Sequence, residues 1–147
     1  MIRINNMNQS LSPFSNARFI AIRLVPGEDA LLALKRKIEQ HSLQAAFIAS
    51  SVGSLTHVAL RFAGQENTFH TTGKFEIVSL IGTLDANGEH LHLSVSDEEG
   101  KVLGGHMMPG CTVRTTLELI IGELEKVNFT REPCPLSGYE ELIITSR

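Results

Sequence analysis

Three of the six histidines in this 147-residue chain, His90, His92 and His106, fall in the single stretch Asn87 to Met108, NGEHLHLSVSDEEGKVLGGHMM. Three neutral imidazoles suit Zn(II) or another divalent transition ion, and a three-ligand set leaves a coordination position for water, substrate or a further side chain. The competing reading is three unrelated, solvated histidines on the polar face of a strand. The choice turns on whether the chain brings the three rings together.

The stretch has the periodicity to do so. Leu91, Leu93 and Val95 alternate with His90, His92, Ser94 and Ser96, the period-two pattern of a strand with one dry and one polar face. Val102 to Met107 repeats it, with Leu103 and Met107 in phase and Gly104 and His106 on the alternate positions. Asp97-Glu98-Glu99-Gly100 between them predicts a type I turn closed by Gly100 in the left-handed conformation. Pairing Asp97 with Lys101 sets Leu93 against Gly105, Leu91 against Met107 and His92 against His106. His90 and His92 then lie about 6.5 to 7 Å apart along one strand and His106 roughly 5 Å across from His92. Gly104, without a side chain, leaves room beside them for a ligand or another backbone.

Four further residues are secondary candidates beside the trio and Gly104. Lys74 to Leu84 predicts a strand joined to the histidine strand through Asp85-Ala86-Asn87-Gly88, and Asn-Gly favours a tight type I′ hairpin. In that register Leu84 faces Leu91 and Thr83 faces His92, which makes the Thr83 hydroxyl a candidate partner for an imidazole. Glu76 falls in parity with Val78 and Leu80 and reads either as an exposed strand end or as a charge with a role. Cys111, after the turn Met108-Pro109-Gly110, either folds back toward the ion or is a buried structural thiol. Gly105 completes the set.

These residues also carry a family resemblance. GKFEIVSLIGTL at Gly73 to Leu84, HLHLSVSDEEGKVLGGH at His90 to His106 and Gly-Cys-Thr-Val at Gly110 to Val113 resemble the plants-and-prokaryotes conserved (PPC) domain, from Arg18 to the last residue. This domain accompanies AT-hook motifs in plant nuclear proteins and stands alone in many bacterial ones. The resemblance implies a compact α+β domain that assembles as a homotrimer, with a histidine metal site in bacterial members matching His90, His92 and His106. The family is described as DNA-binding, but the plant proteins reach the minor groove through a separate Arg-Gly-Arg-Pro type segment that this chain does not contain.

The remaining elements must position the trio. Met1 to Ala17 reads as a flexible arm and residues 18–147 as one domain. Arg18 to Val25 predicts a strand ending at Pro26-Gly27. Glu28 to His41 places Leu31, Leu34 and Ile38 on one helical stripe. Gln44 to Val52 and Ser54 to Phe62 predict two strands hinged at Gly53, followed by a short edge segment at Phe69 to Thr71. Val113 to Leu124 predicts a long strand with Ile120 on the face opposite Leu117, Leu119 and Ile121. Pro133 and Pro135 interrupt the region after Phe129, and Tyr139 to Thr145 closes the chain as a strand. The expected fold is therefore α+β: one mainly antiparallel sheet with a principal amphipathic helix on one face and short additional helical turns. The excess of apolar strand surface also points to self-association, which the resemblance implies is a homotrimer.

Composition limits the function. A net charge of -3 and no run of five Lys and Arg argue against strong nonspecific binding to a phosphate backbone. No apolar stretch reaches membrane-spanning length, and the two cysteines, Cys111 and Cys134, are too few for a disulfide framework, so a reduced cytoplasm is the expected compartment. His57 and His70 have no ligand spacing and stay outside the site. Two functions remain: a metal-binding, DNA-binding or regulatory module, and a metal-dependent enzyme whose ion lowers the pKa of bound water, with Glu76 or a neighbouring subunit's carboxylate as base.

Overall fold

The computed structural model describes residues 14–147. Its elements are β1 (Ala17–Leu24), α1 (Ala30–Gln40), β2 (Ala46–Arg61), β3 (Phe69–Asp85), β4 (Gly88–Ser96), β5 (Val102–Met107), β6 (Thr112–Leu124), β7 (Val127–Pro133) and β8 (Glu140–Ser146). β1 to β6 form an antiparallel sheet in the order β1-β6-β2-β3-β4-β5, and β7 and β8 form a separate two-stranded ribbon. The fold is thus mainly antiparallel β with a single helix among the described residues. The single sheet expected from the sequence is corrected by the ribbon, and the expected additional helical turns are not found there.

β2 organises the sheet. Its long run pairs with β3 on one edge, and its other edge passes from β6 to β5, where Leu60 meets Met107 and Arg61 meets His106. The sheet therefore closes on itself through β2-β3-β4-β5, and Leu55, Leu60, Leu80, Leu84, Leu91, Leu93 and Met107 fill the interior. Where two strands hinged at Gly53 were expected, β2 runs through, with a register shift against β6 between Gly53 and Leu55. A Cβ on Gly53 would lie 2.2 Å from the Thr116 carbonyl oxygen, so the glycine admits a close strand approach rather than a break.

The α1 helix covers the inner face with Leu31, Leu34 and Ile38. Asp29 caps it instead of lying in its first turn: one carboxylate oxygen accepts from Leu32 N at 3.0 Å and the other from Gly110 N at 2.6 Å. The cap thereby ties the helix start to the turn between β5 and β6. No helix of the described residues is long and apolar enough to cross a membrane. Of the expected N-terminal arm, residues 1–13 lie outside the described residues, whereas Asn16 and Ser15 accept backbone hydrogen bonds from Glu125 and Lys126.

Candidate metal centre

The β4–β5 hairpin has the expected register, with His92 opposite His106, Leu93 opposite Gly105 and Ser94 opposite Gly104. Its turn closes through Gly100 N donating to Asp97 O at 3.0 Å and Asp97 N donating to Lys101 O at 3.0 Å, with Gly100 at φ 78. The dry face buries Leu91, Leu93, Val95 and Met107. The opposite face brings three imidazoles together, with one ring nitrogen from each of His90, His92 and His106 within 4.8 Å of the others. The Nε2 atoms of His90 and His92 are 3.2 Å apart. Zn–N bonds of about 2.0–2.1 Å in a tetrahedron separate neighbouring nitrogens by roughly 3.3 Å, so the His90–His92 spacing matches two ligands of one such ion, with His106 as the neighbouring third donor.

The electrostatics favour the form that binds metal. Burial, then the Arg61 guanidinium and the neighbouring imidazoles, push His106 down to about 4. Burial, followed by His92 and Arg131, also lowers His90, with Glu141 opposing. Both rings are therefore neutral at neutral pH, with a lone pair free for a cation.

The other candidates are not gathered in the same way. The β3–β4 register differs from the expected one: Thr83 pairs with His90, and Ile81 with His92. The turn is set by Asp85, which pairs with Gly88, accepts from Asn87 N at 2.8 Å and meets Arg131. Thr83 stays on the histidine face, but its hydroxyl accepts from Arg131 Nη2 at 2.9 Å and makes no hydrogen bond with an imidazole. Glu76 is exposed and pairs with Ser96. A bulge between Ile77 and Ser79 reverses the strand parity, so Glu76 shares the histidine face rather than the Leu80 face. Ser96 is four residues beyond His92, about 13 Å along the strand, which keeps Glu76 away from the trio. Cys111 is fully buried, takes a contact from Ala59 N at 3.4 Å, and does not reach the histidines. Burial raises its thiol to about 11. A Cβ on Gly104 would meet Leu93 O at 3.0 Å, so of the two uses expected for the room there, a ligand or another backbone, it is the β4 backbone that takes it. A second close backbone approach falls at Gly105, where a Cβ would stand 2.8 Å from Arg61 O.

The structure adds residues that sequence reasoning missed. A cavity of about 530 Å³ opens beside the trio, with Arg61 from the end of β2 and Phe62 just after it, Arg131 from β7, and Tyr139, Glu140 and Glu141 from the start of β8 and the residue before it. β7 was legible in the alternation Val127-Asn128-Phe129-Thr130-Arg131, but Pro133 and Pro135 were read as breaking the region. Pro133 instead sits at the last position of an edge ribbon, where the missing N–H costs little. No spacing relation connects Arg61 to the histidines.

These features define a small α+β domain that displays three imidazoles from one hairpin at the edge of a cavity. The chain belongs to the Plants and Prokaryotes Conserved (PCC) domain family, whose model matches residues 11–125. It is similar to a hypothetical protein from Salmonella cholerae-suis (Salmonella enterica), with 60% identity, a TM-score of 0.91, and coverage of 92% of this chain and 99% of that one. It is 41% identical over 132 residues, 90% of its length, to the bifunctional protein GlmU of Synechococcus sp. (strain JA-3-3Ab), but spans only 21% of that relative. A metal-containing protein from Archaeoglobus fulgidus shares the fold at 21% identity and a TM-score of 0.80, covering 90% of this chain and 98% of that one.

Proposed function

We propose that the protein is a metal-binding module of the PCC family that holds zinc, or another divalent transition ion, on His90, His92 and His106. The observation that carries this reading is the convergence of the three ring nitrogens within 4.8 Å beside an open cavity. The metal-containing relative of the same fold supports it. Elemental analysis of protein purified without added metal tests it: about one transition-metal ion per chain is expected, and protein that neither carries an ion nor takes one up on dialysis against zinc would end the proposal.

The module works as a homotrimer in this reading. On β1, β6 and β2, the face opposite α1 exposes Phe19, Val52 and Ile120 at 60%, 57% and 37% of their surface, and Phe19 meets Phe47 edge-on over Gly122. Such a face is normally covered by another layer or a partner. Light scattering coupled to size exclusion should give about three times the 16.1 kDa chain mass; a monomer at micromolar concentration would refute the assembly.

The cavity favours a second reading, a metal-dependent enzyme acting on a small molecule. A divalent ion on three imidazoles supplies Lewis acidity toward an oxygen ligand. Within the chain, Glu140 and Glu141 line the cavity and replace the remote Glu76 as candidate bases. Turnover of ester, phosphate or lactone substrates above that of the triple His→Ala variant would support it. Cytoplasmic DNA binding as a regulator, the remaining version, has less support: on α1, Lys35 and Arg36 pair with Glu89 and Glu28. A mobility shift that weakens steeply with salt would be its signature.

A further inference from the structure

We infer that the cavity beside the histidines receives a small organic monocarboxylate with an apolar body, its carboxylate held by Arg61. The inference deepens the metal-binding reading and rests on it only in that the ion would add a second positive group at the same end of the cavity.

Arg61 is the last residue of β2 and the cross-strand partner of His106, so its side chain leaves the backbone at the histidine end of the cavity. Its position is not free to drift, because Gly105 packs directly against its carbonyl oxygen and its guanidinium carbon lies 6.0 Å from the Tyr139 ring centroid. Among the described residues Arg61 makes no ion pair. Arg131, by contrast, is occupied: its Nε faces Asp85 at 3.4 Å and its Nη2 donates to Thr83. The cavity thus offers one guanidinium that, among the described residues, stands over an aromatic ring with no carboxylate partner, and a guanidinium fork matches a carboxylate by paired N–H donors.

The rest of the wall defines the class further. Phe62 and Tyr139 provide aromatic surface, with Phe62 backed by Phe69 at a centroid distance of 5.0 Å. That surface suits the body of an organic acid better than a fully hydrated inorganic ion. Glu140 and Glu141 also line the cavity, and Glu141 is near enough to act on the charge of His90, so a dianion would meet more carboxylate repulsion than a monoanion, whose single charge Arg61 can balance.

4-Fluorobenzoate and 4-fluorobenzamide, nearly isosteric and differing in charge, provide the probe, read by ¹⁹F NMR titration against zinc-loaded protein. The acid should bind at least tenfold more tightly than the amide, and inorganic phosphate should not displace it. Arg61→Gln should weaken the acid several-fold, leaving only the preference the ion supplies, while amide affinity, zinc content and thermal melting stay unchanged; Arg61→Lys, which retains the charge, should fall between. Equal affinity for acid and amide, displacement by phosphate, or full acid binding by Arg61→Gln would each overturn the inference. Protein that takes up no zinc would defeat the metal reading instead, and the Arg61-dependent preference for the acid, measured on that same protein, would still decide this one.

Discussion

Two polar clusters in this domain are built on opposite principles. Around Glu123, a carboxylate only 1% exposed, every contact comes from within the chain: Gln44 N at 2.8 Å and Arg147 Nη2 at 2.7 Å on one oxygen, Arg18 Nε at 2.8 Å and Nη2 at 2.6 Å on the other. Burial pushes this carboxyl up, but the Gln44 N–H and the two guanidinium groups outweigh it and hold it below its ordinary value. Around the histidines, the rings meet chiefly one another, and among the described residues no carboxylate lies within hydrogen-bond distance of them. The first cluster is complete and fastens β1, β6, the segment that leads into β2 and the last residue together. The second gathers three ring nitrogens within 4.8 Å of one another, and among the described residues their one hydrogen-bond contact is the 3.2 Å approach of His90 to His92. A buried charge satisfied on both oxygens serves the fold, whereas imidazoles that converge at a cavity with no carboxylate beside them suit a ligand from outside.

Substitutions can break or sharpen this contrast. The largest effect is expected at the open cluster: His92→Ala should lose more than nine-tenths of the bound metal while His57→Ala keeps its full content, as measured by elemental analysis. Equal retention would return the trio to three solvated histidines. At the closed cluster, Glu123→Gln should leave metal content unchanged but lower stability by about 2–4 kcal/mol, because the two arginines lose a buried acceptor charge. Its pH dependence follows from the depressed carboxyl. The stabilisation is present above the ordinary value of 4.5 and fades as pH falls through the lower folded value, so the difference between wild type and Glu123→Gln should shrink in acid melts.

Gly105→Ala joins the two kinds of test. The added methyl must push Arg61 and His106 apart, which should cost roughly 1–3 kcal/mol in chemical denaturation and also weaken metal retention. A change in stability alone would show that the close approach serves packing only. The smallest effect belongs to the turn of the same hairpin. Lys101 and Glu99 form an ion pair at 2.6 Å with side chains 74% and 71% exposed, and Lys101→Ala should change stability by less than about 0.5 kcal/mol.

The legible parts of the molecule were those settled by neighbours in sequence. The β4–β5 register followed from one turn, and the core face followed from Leu91, Leu93 and Val95. The β3–β4 register did not, because Asp85 turns the chain while engaging Arg131, a residue of another sheet. Glu76 was assigned to the wrong face because a bulge leaves no mark on simple alternation. The cavity was invisible for a related reason: Arg61, Arg131 and Tyr139 meet the histidines only after the sheet closes and the ribbon docks, and none carries a local pattern that reports it.

The closure of β5 onto β2 also orders events in time. All three imidazoles belong to one hairpin, whose tight turn can form in microseconds, whereas the Arg61–His106 pairing joins strands far apart along the chain and must await slower, long-range closure. The ligand set can therefore exist before the wall that encloses it. If the proposed ion binds, a refolding chain could take it up before the cavity that would receive an organic ligand exists, and a hairpin already held at its histidines would resist slippage while the remaining strands assemble.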